Sequence, residues 1–419
     1  YYIGFKVNSG EYKLMGLAPY GKPIYKDLIL KNLVEVKDDG SFKLNQSYFN
    51  YSTGLTMTNK NFSKLFGEKP RNQKKEKLTQ FHMDIASSIQ SVTEDIMLKI
   101  TNSLFSEYKI ANLCLAGGVA LNCVANGKIL KSGVFKNIWV QPAAGDAGGA
   151  LGAALGLWHI EYKKDREINP NDSMQGSYLG PKYSQVEVEN YLKKVGANYE
   201  VLDENEIIKK TSLTLAEGKA IGWFQGRMEF GPRALGCRSI IGDARSATMQ
   251  KTLNLKVKYR ESFRPFAPSV TIDDVNEWFE LNDNSPYMLV VDKVKKDKCK
   301  KMSEEEKKLF GIEKLNIQRS TIPAVTHVDY SARIQTVHKD TNPKYYKLLN
   351  EFKKQTGCPV IVNTSFNVRG EPIVNSPEDA FNCFMGTEID TLVIENCFLK
   401  KENQSKLLKK NYEQKYELD

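Results

Sequence analysis

The sequence predicts an α/β protein of two units, and three observations carry that expectation. First, two strand–turn–helix units follow one another. A strand at 113–116, the Gly117-Gly118 turn and a helix over 119–131 precede a strand at 138–141, a turn at 142–145 and a helix over 147–162. Units of this kind in series form an α/β layer with ligands at the turns. Second, apolar runs and amphipathic stretches alternate from about 178 to 400. Third, the polar, turn-rich stretch KDREINPNDSMQGS (164–177) reads as a linker, which places the units at 1–170 and 171–419.

Taken in order, residues 1–60 read as irregular chain with short strands. Ile85, Ile89, Val92, Ile96 and Ile100 recur at three- and four-residue steps and predict a long amphipathic helix over 78–108. In the second unit, strands are expected at 219–225, 266–271, 286–292, 322–328, 359–363 and 391–399. Helices are expected at 184–194, 204–216, 246–257, 272–279, 342–356 and 377–385. The Lys/Glu-rich stretch 293–315 reads as a solvated insertion.

Composition narrows the function classes. With 41% hydrophobic and 26% charged residues the chain is an ordinary globular protein. No run approaches eighteen apolar residues and no basic-then-apolar leader is present, so no membrane segment is expected. The chain opens Tyr1-Tyr2 without a Met, so further sequence is expected upstream. Seven cysteines (Cys114, Cys123, Cys237, Cys299, Cys358, Cys383, Cys397) stand singly, with no CxxC pair. That pattern suggests free thiols in a reducing cytoplasm. A net charge of +10 suits anionic ligands. Many lysines cluster in loop-like runs such as 293–308 and the tail after Lys400, so nucleic acid is not the expected partner.

The chemistry concentrates in four basic groups. QGRMEFGPRALGCRSI (225–240) follows a buried strand and carries Arg227, Arg233 and Arg238 among Gly226, Gly231 and Gly236. Arginine offers five fixed donors and a permanent charge, and glycine lets the backbone approach a ligand. LKVKYRESFRPFAPS interleaves Lys256, Lys258, Arg260 and Arg264 with aromatic residues and prolines. Arg333 sits in VDYSARIQTV, and Ser365, Asn367 and Arg369 follow the apolar run PVIV. Four such groups in one unit point to a shared pocket for phosphate or carboxylate. In the first unit, the Gly117-Gly118 turn aims backbone N–H groups from a helix start. Asp146, after Gly145, is either a plain N-cap or a carboxylate aimed at a metal or hydroxyl. His82, His159, His327 and His338 form no HxxxH or HExxH spacing, and each alone reads as a helix-face or core-edge residue.

These blocks carry a family likeness. NSGEYKLMGLAPYG (8–21), CLAGGVALNC (114–123), QPAAGDAGGALGAAL (141–155), GWFQGRMEFGPRALGCRSI (222–240), YRESFRPFAPS (259–269), THVDYSARIQTV (326–337) and VNTSFNVRGEPIV (362–374) together resemble the O-carbamoyltransferases of the nodulation, cephamycin and aminoglycoside-tailoring type. The resemblance implies part of an actin/hexokinase-like (ASKHA) domain that transfers a carbamoyl group, followed by a YrdC-like domain that makes carbamoyl-adenylate from carbamoyl phosphate and ATP. It implies Arg227, Lys258, Arg260, Arg333, Ser365, Asn367 and Arg369 as catalytic residues. It also implies Gly117, Gly118, Asn122 and Gly145 at a nucleotide and Asp146 on a divalent metal, Fe²⁺ favoured, with Mg²⁺ accompanying ATP. The implied acceptor is a hydroxyl-bearing small molecule, and a homodimer is compatible with the likeness. The family's histidine metal ligands and a further aspartate precede the matching blocks and are not in this sequence. Two alternatives stay open: a threonylcarbamoyl-adenylate or hydrogenase-maturation relative, and a nucleotide- or RNA-binding protein that does not transfer.

Overall fold

A computed structural model describes residues 1–168, 172–410, 412 and 416, and the α/β class holds in both units. The first unit runs α1 (Glu11–Leu17), α2 (Lys26–Asn32), the hairpin β1 (Val34–Val36) and β2 (Phe42–Leu44), α3 (Lys60–Phe66), α4 (Gln80–Tyr108), β3 (Asn112–Leu115), α5 (Cys123–Lys131), β4 (Asn137–Val140) and α6 (Gly148–Gly156). The second begins with α7 (Gln185–Lys194), β5 (Glu200–Val201), α8 (Glu204–Ala216), β6 (Ile221–Phe224), β7 (Arg238–Asp243), α9 (Met249–Thr252), β8 (Ala267–Thr271) and α10 (Val275–Trp278). It continues with β9 (Val290–Lys293), α11 (Glu304–Lys308), β10 (Ser331–Val337), α12 (Pro343–Thr356), β11 (Ile361–Ser365), α13 (Pro377–Gly386), β12 (Thr391–Ile394) and β13 (Cys397–Lys400). The boundary expected at 170/171 falls on residues 169–171, outside the described residues.

The second unit is organised by a mixed nine-stranded sheet in the order β5-β13-β12-β6-β7-β11-β8-β10-β9. β12 pairs parallel with β6 and β10 with β8; the other neighbours are antiparallel. Every residue of β6, β7 and β8 is buried, so these strands form the centre of the core. Helix grammar explains the flanking elements. In α12 the Asn342 side chain caps the Tyr345 N–H, Pro343 stands at the first position and Gly357 ends the helix at φ 74°. Tyr345, Leu348, Leu349 and Phe352 follow the helical period, and all are buried. The helix α12 packs against α8 and β8, while α13 packs on β6, β12 and α7.

Several expectations need correction. Residues 1–60 hold α1, α2 and the start of α3, closed over the polar face of α4. There Asp84 accepts the Lys22 N–H (2.7 Å) and Ser88 accepts the Tyr25 N–H (3.0 Å). The strand expected at 322–328 is a short 3₁₀ turn, Pro323–Val325, because Pro323 has no donor for a ladder. The strand lies instead at β10. The run 391–399 folds into the hairpin β12–β13 across Glu395-Asn396, with Glu395 at φ 48°. β7 was not expected, because in RSIIGD only Ile240 and Ile241 are apolar.

The units meet where α5 lies on the sheet edge strand β9. A Cβ added to Gly127 would stand 2.1 Å from the Val291 carbonyl oxygen, so only glycine permits this approach. Asn126 donates to the Ala120 and Leu289 carbonyls (2.8 and 3.0 Å), and Lys131 pairs with buried Asp292. The Tyr20 hydroxyl donates to the Phe263 carbonyl at 3.0 Å and so ties α1's C-terminal turn to the second unit.

Candidate active site

A cavity of about 550 Å³ opens where the two units meet. Ser9, Tyr12, Met15 and Cys123 line it from the first unit. Among the described residues, the cationic lining is Arg233, Lys258, Arg260, Arg264, Arg333 and Arg369; the carboxylates are Asp329 and Glu371. Six cations against two carboxylates make it an anion site on charge alone.

Each cation is held in place. Glu229, buried, accepts the N–H groups of Leu235 (2.7 Å), Cys237 (2.8 Å) and Arg238 (3.2 Å). That carboxylate folds the loop between β6 and β7 on which Arg233 stands. Arg233 Nε is buried and has no hydrogen-bond partner. Burial, then the neighbouring Arg333, pushes Arg233 down to about 9. Arg333 projects from β10 beside Cys123, and burial lowers it too. Arg260 donates to Asn254 Oδ1 (2.7 Å) and lies over the Phe266 ring, and burial with Arg264 nearby lowers it well below the usual range. Arg264 stacks over Tyr12 at 4.7 Å, across the boundary between the units. Arg369 pairs with Glu261 at 3.3 Å.

Lys258 is 2% exposed. Its ammonium donates to the Ser365 carbonyl, Ser365 Oγ (3.2 Å), the Asn367 carbonyl (2.9 Å) and Asn367 Oδ1 (2.7 Å). Burial and the adjacent Arg260 push it well below the ordinary lysine range. Glu371 is occupied by the Val368 N–H (2.8 Å) and the hydroxyls of Tyr412 (2.8 Å) and Tyr416 (3.1 Å).

Six of the seven expected catalytic residues therefore line one cavity: Lys258, Arg260, Arg333, Ser365, Asn367 and Arg369. Arg227 does not. Its exposed guanidinium donates to the Gly180 carbonyl (3.1 Å), because the Gly226 turn directs it away from the loop Glu229 organises. Arg238 is wholly buried; it donates to the carbonyls of Gln225, Gly226, Cys237 and Pro181 and stacks on Phe224, which makes it a strut. Arg233 and Arg264 belong to the cavity and were not singled out as catalytic. Their place beside Gly231 and in RPF gave no signal that separated them from their neighbours.

The expected nucleotide group lies elsewhere. The turns at Gly117-Gly118 and Gly145-Asp146 adjoin at the C-terminal ends of the parallel strands β3 and β4, where the Gly117 N–H donates to the Ala144 carbonyl at 2.8 Å. Gly117 takes φ 95°, and nothing stands within 4 Å of a Cβ added to Gly117 or Gly118. This open platform suits a ligand outside strand ends. Asn122 is committed internally: it caps α5 at Ala125 and exchanges two amide hydrogen bonds with Gln90 (both 3.1 Å). Asp146 is exposed and caps no helix. Among the described residues no three His, Cys, Asp or Glu side chains converge, so Asp146 is a lone carboxylate and not by itself a metal site. All seven cysteines are free, and no helix of the described residues is long and apolar enough to cross a membrane.

Residues 1–155 match the family described as Carbamoyltransferase N-terminus, and residues 212–401 match Carbamoyltransferase C-terminus. An uncharacterised protein of Synechocystis sp. is 59% identical over 422 residues, which is all of this chain and 68% of that protein. Nodulation protein NolNO of Sinorhizobium fredii is 39% identical over 96% of this chain and 55% of its own length. The 3'-hydroxymethylcephem-O-carbamoyltransferase of Streptomyces clavuligerus is 31% identical over 69% of this chain and 49% of its own length. The chain thus spans about half to two thirds of the length of these relatives, and it belongs to the carbamoyltransferase family.

Proposed function

We propose that this chain carries the carbamoyl-activating centre of an ATP-dependent O-carbamoyltransferase. In this reading the six-cation cavity takes carbamoyl phosphate and ATP, the latter as its Mg²⁺ complex, and makes carbamoyl-adenylate with release of pyrophosphate and phosphate. The observation that carries it is the cluster of Arg233, Arg260, Arg264, Arg333, Arg369 and Lys258 around one cavity. Carbamate is a poor electrophile, and adenylation gives it a good leaving group. Joining two phosphorylated substrates brings several negative charges together, and prearranged cations offset both that repulsion and the charge of the transition state. Ser365 and Asn367, locked by Lys258, hold neutral polar groups beside those charges.

The second half of the reaction, transfer to the hydroxyl of a small molecule, is assigned to the first unit. Its open turns at Gly117 and Gly145 leave room for a nucleotide moiety there, with Asp146 as the exposed carboxylate beside them. The cephem enzyme's name specifies an O-carbamoyl transfer, which favours a small-molecule acceptor for this chain as well. The test is pyrophosphate release from ATP. It should require carbamoyl phosphate, and release that ignores carbamoyl phosphate would reject the reading.

A further inference from the structure

We propose that Tyr12, in the first unit, positions Arg264 of the second unit to grip a substrate phosphate, so that the docking of α1 completes the activation cavity. The inference rests on the activation reading above. Tyr12 acts here through Arg264 and is a positioning residue.

The tripeptide Phe263-Arg264-Pro265 leads into β8 and is held from both units. Phe263 is 3% exposed and buries its ring in the hydrophobic core of the first unit, edge-on to Tyr20 at 6.2 Å. Its carbonyl accepts the Tyr20 hydroxyl. Pro265 rests on Gly16 of α1, where an added Cβ would stand 3.6 Å from Pro265 Cδ. From the second unit, the Asn254 amide donates to the Arg264 carbonyl (3.1 Å), while its oxygen accepts Arg260 Nε (2.7 Å). These contacts fix the backbone on which Arg264 stands. They leave its long side chain free.

Tyr12 removes that freedom. The Arg264 guanidinium lies over the Tyr12 ring, 4.7 Å from its centre. Glu261 stands 3.7 Å from Arg264 Nη1, an ion pair too long for a hydrogen bond, and turns its other oxygen to Arg369 at 3.3 Å. Both Tyr12 and Arg264 line the cavity, and 14% of the Arg264 side chain stays exposed. Contact with an aromatic face engages the charge without consuming an N–H donor. The donors of Arg264 therefore remain for an oxyanion, which a guanidinium binds with a fork of two N–H groups. Lys258 is the contrast, since its ammonium is spent on Ser365 and Asn367.

A side chain fixed before its ligand arrives loses less entropy on binding. Removing the ring should accordingly weaken the hold on phosphate more than it slows the chemical step.

Two readouts test this. Titration calorimetry with inorganic pyrophosphate measures anion binding, and carbamoyl-phosphate-dependent pyrophosphate release gives KM and kcat. Tyr12→Leu should raise both the pyrophosphate Kd and the KM for carbamoyl phosphate about tenfold, the scale of a desolvated cation–π contact, with kcat falling less than about threefold. Tyr12→Phe restores the ring and should recover most of that loss. In an Arg264→Gln background, Tyr12→Leu should add less than about twofold, because the two residues act as one. Tyr12→Gln, at the same half-buried position, carries the test should the leucine variant not fold. A full further loss on top of Arg264→Gln, an unchanged Kd and KM in Tyr12→Leu, or a phenylalanine variant as weak as the leucine one overturns the proposal. A wild-type protein that binds pyrophosphate but releases none with carbamoyl phosphate removes the activation reading alone, and the calorimetric series then decides this inference. A wild-type protein that binds no pyrophosphate removes both.

Discussion

Glu229 collects three backbone N–H groups on one oxygen and so sets the loop that carries Arg233 into the cavity. Arg233 feels the cluster's own repulsion, since burial and Arg333 act in the same direction. Its folded pKa, about 9, lies below that of an arginine in the unfolded chain. The unfolded chain therefore binds more protons between these values, and the penalty for holding a charged Arg233 is fully present below about pH 9 and relieved as pH rises through it. Two outcomes follow. Arg233→Gln should raise the melting temperature by a few degrees at neutral pH while lowering pyrophosphate release by about 100-fold, the scale of a lost charge-stabilising donor. Phosphate should raise the wild-type melting temperature at pH 7, and the shift should be smaller in Arg233→Gln, which lacks one of the cations. Calorimetry across pH checks both. The arginine-rich stretch was legible as an anion grip from glycine and arginine alone. Its division among Arg227, Arg233 and Arg238 was not, because it depends on Glu229, whose role as a backbone acceptor has no sequence signature.

The elements that assemble the cavity are β10, the strand end of β11, the loop between β6 and β7, and α5 resting on β9. Most were readable. The helices α7, α8, α12 and α13 fall within a residue or two of their expected bounds, because Ser184, Asp203, Asn342 and Ser376 each cap a periodic apolar run. β7 and β10 were not placed as strands, since Arg238 and Asp243 in the one and Arg333 in the other break the apolar pattern used to find strands. Gly127 tests the docking of α5 directly. Gly127→Ala drives a methyl into the Val291 carbonyl and should cost about 2 kcal/mol or more, with faster hydrogen exchange in β9 as the local sign. Arg238→Ala should cost about 3 kcal/mol, because it strands four carbonyls in the core. Chemical denaturation measures each.

At the scale of the whole molecule, two ligand-facing regions differ in character. One is a cavity lined by clustered cations between the units; the other is an open pair of glycine turns at the ends of β3 and β4. Under the proposed function, activation belongs to the first and transfer to the second. Asp146→Ala should accordingly spare pyrophosphate release and stop carbamoyl transfer to a hydroxyl acceptor, read by mass spectrometry of the acceptor. The cavity also draws Ser9, Tyr12, Met15 and Cys123 from the first unit, a convergence that no linear spacing reveals, since residues more than 300 positions apart, such as Tyr12 and Arg333, come together only through the docked fold. The most direct measurement compares carbamoyl-phosphate-dependent pyrophosphate release by the wild-type protein, Arg333→Ala and Arg227→Ala. The cavity account predicts activity near the wild-type level for Arg227→Ala and its loss for Arg333→Ala; the reverse order, or equal activity in both, would contradict it.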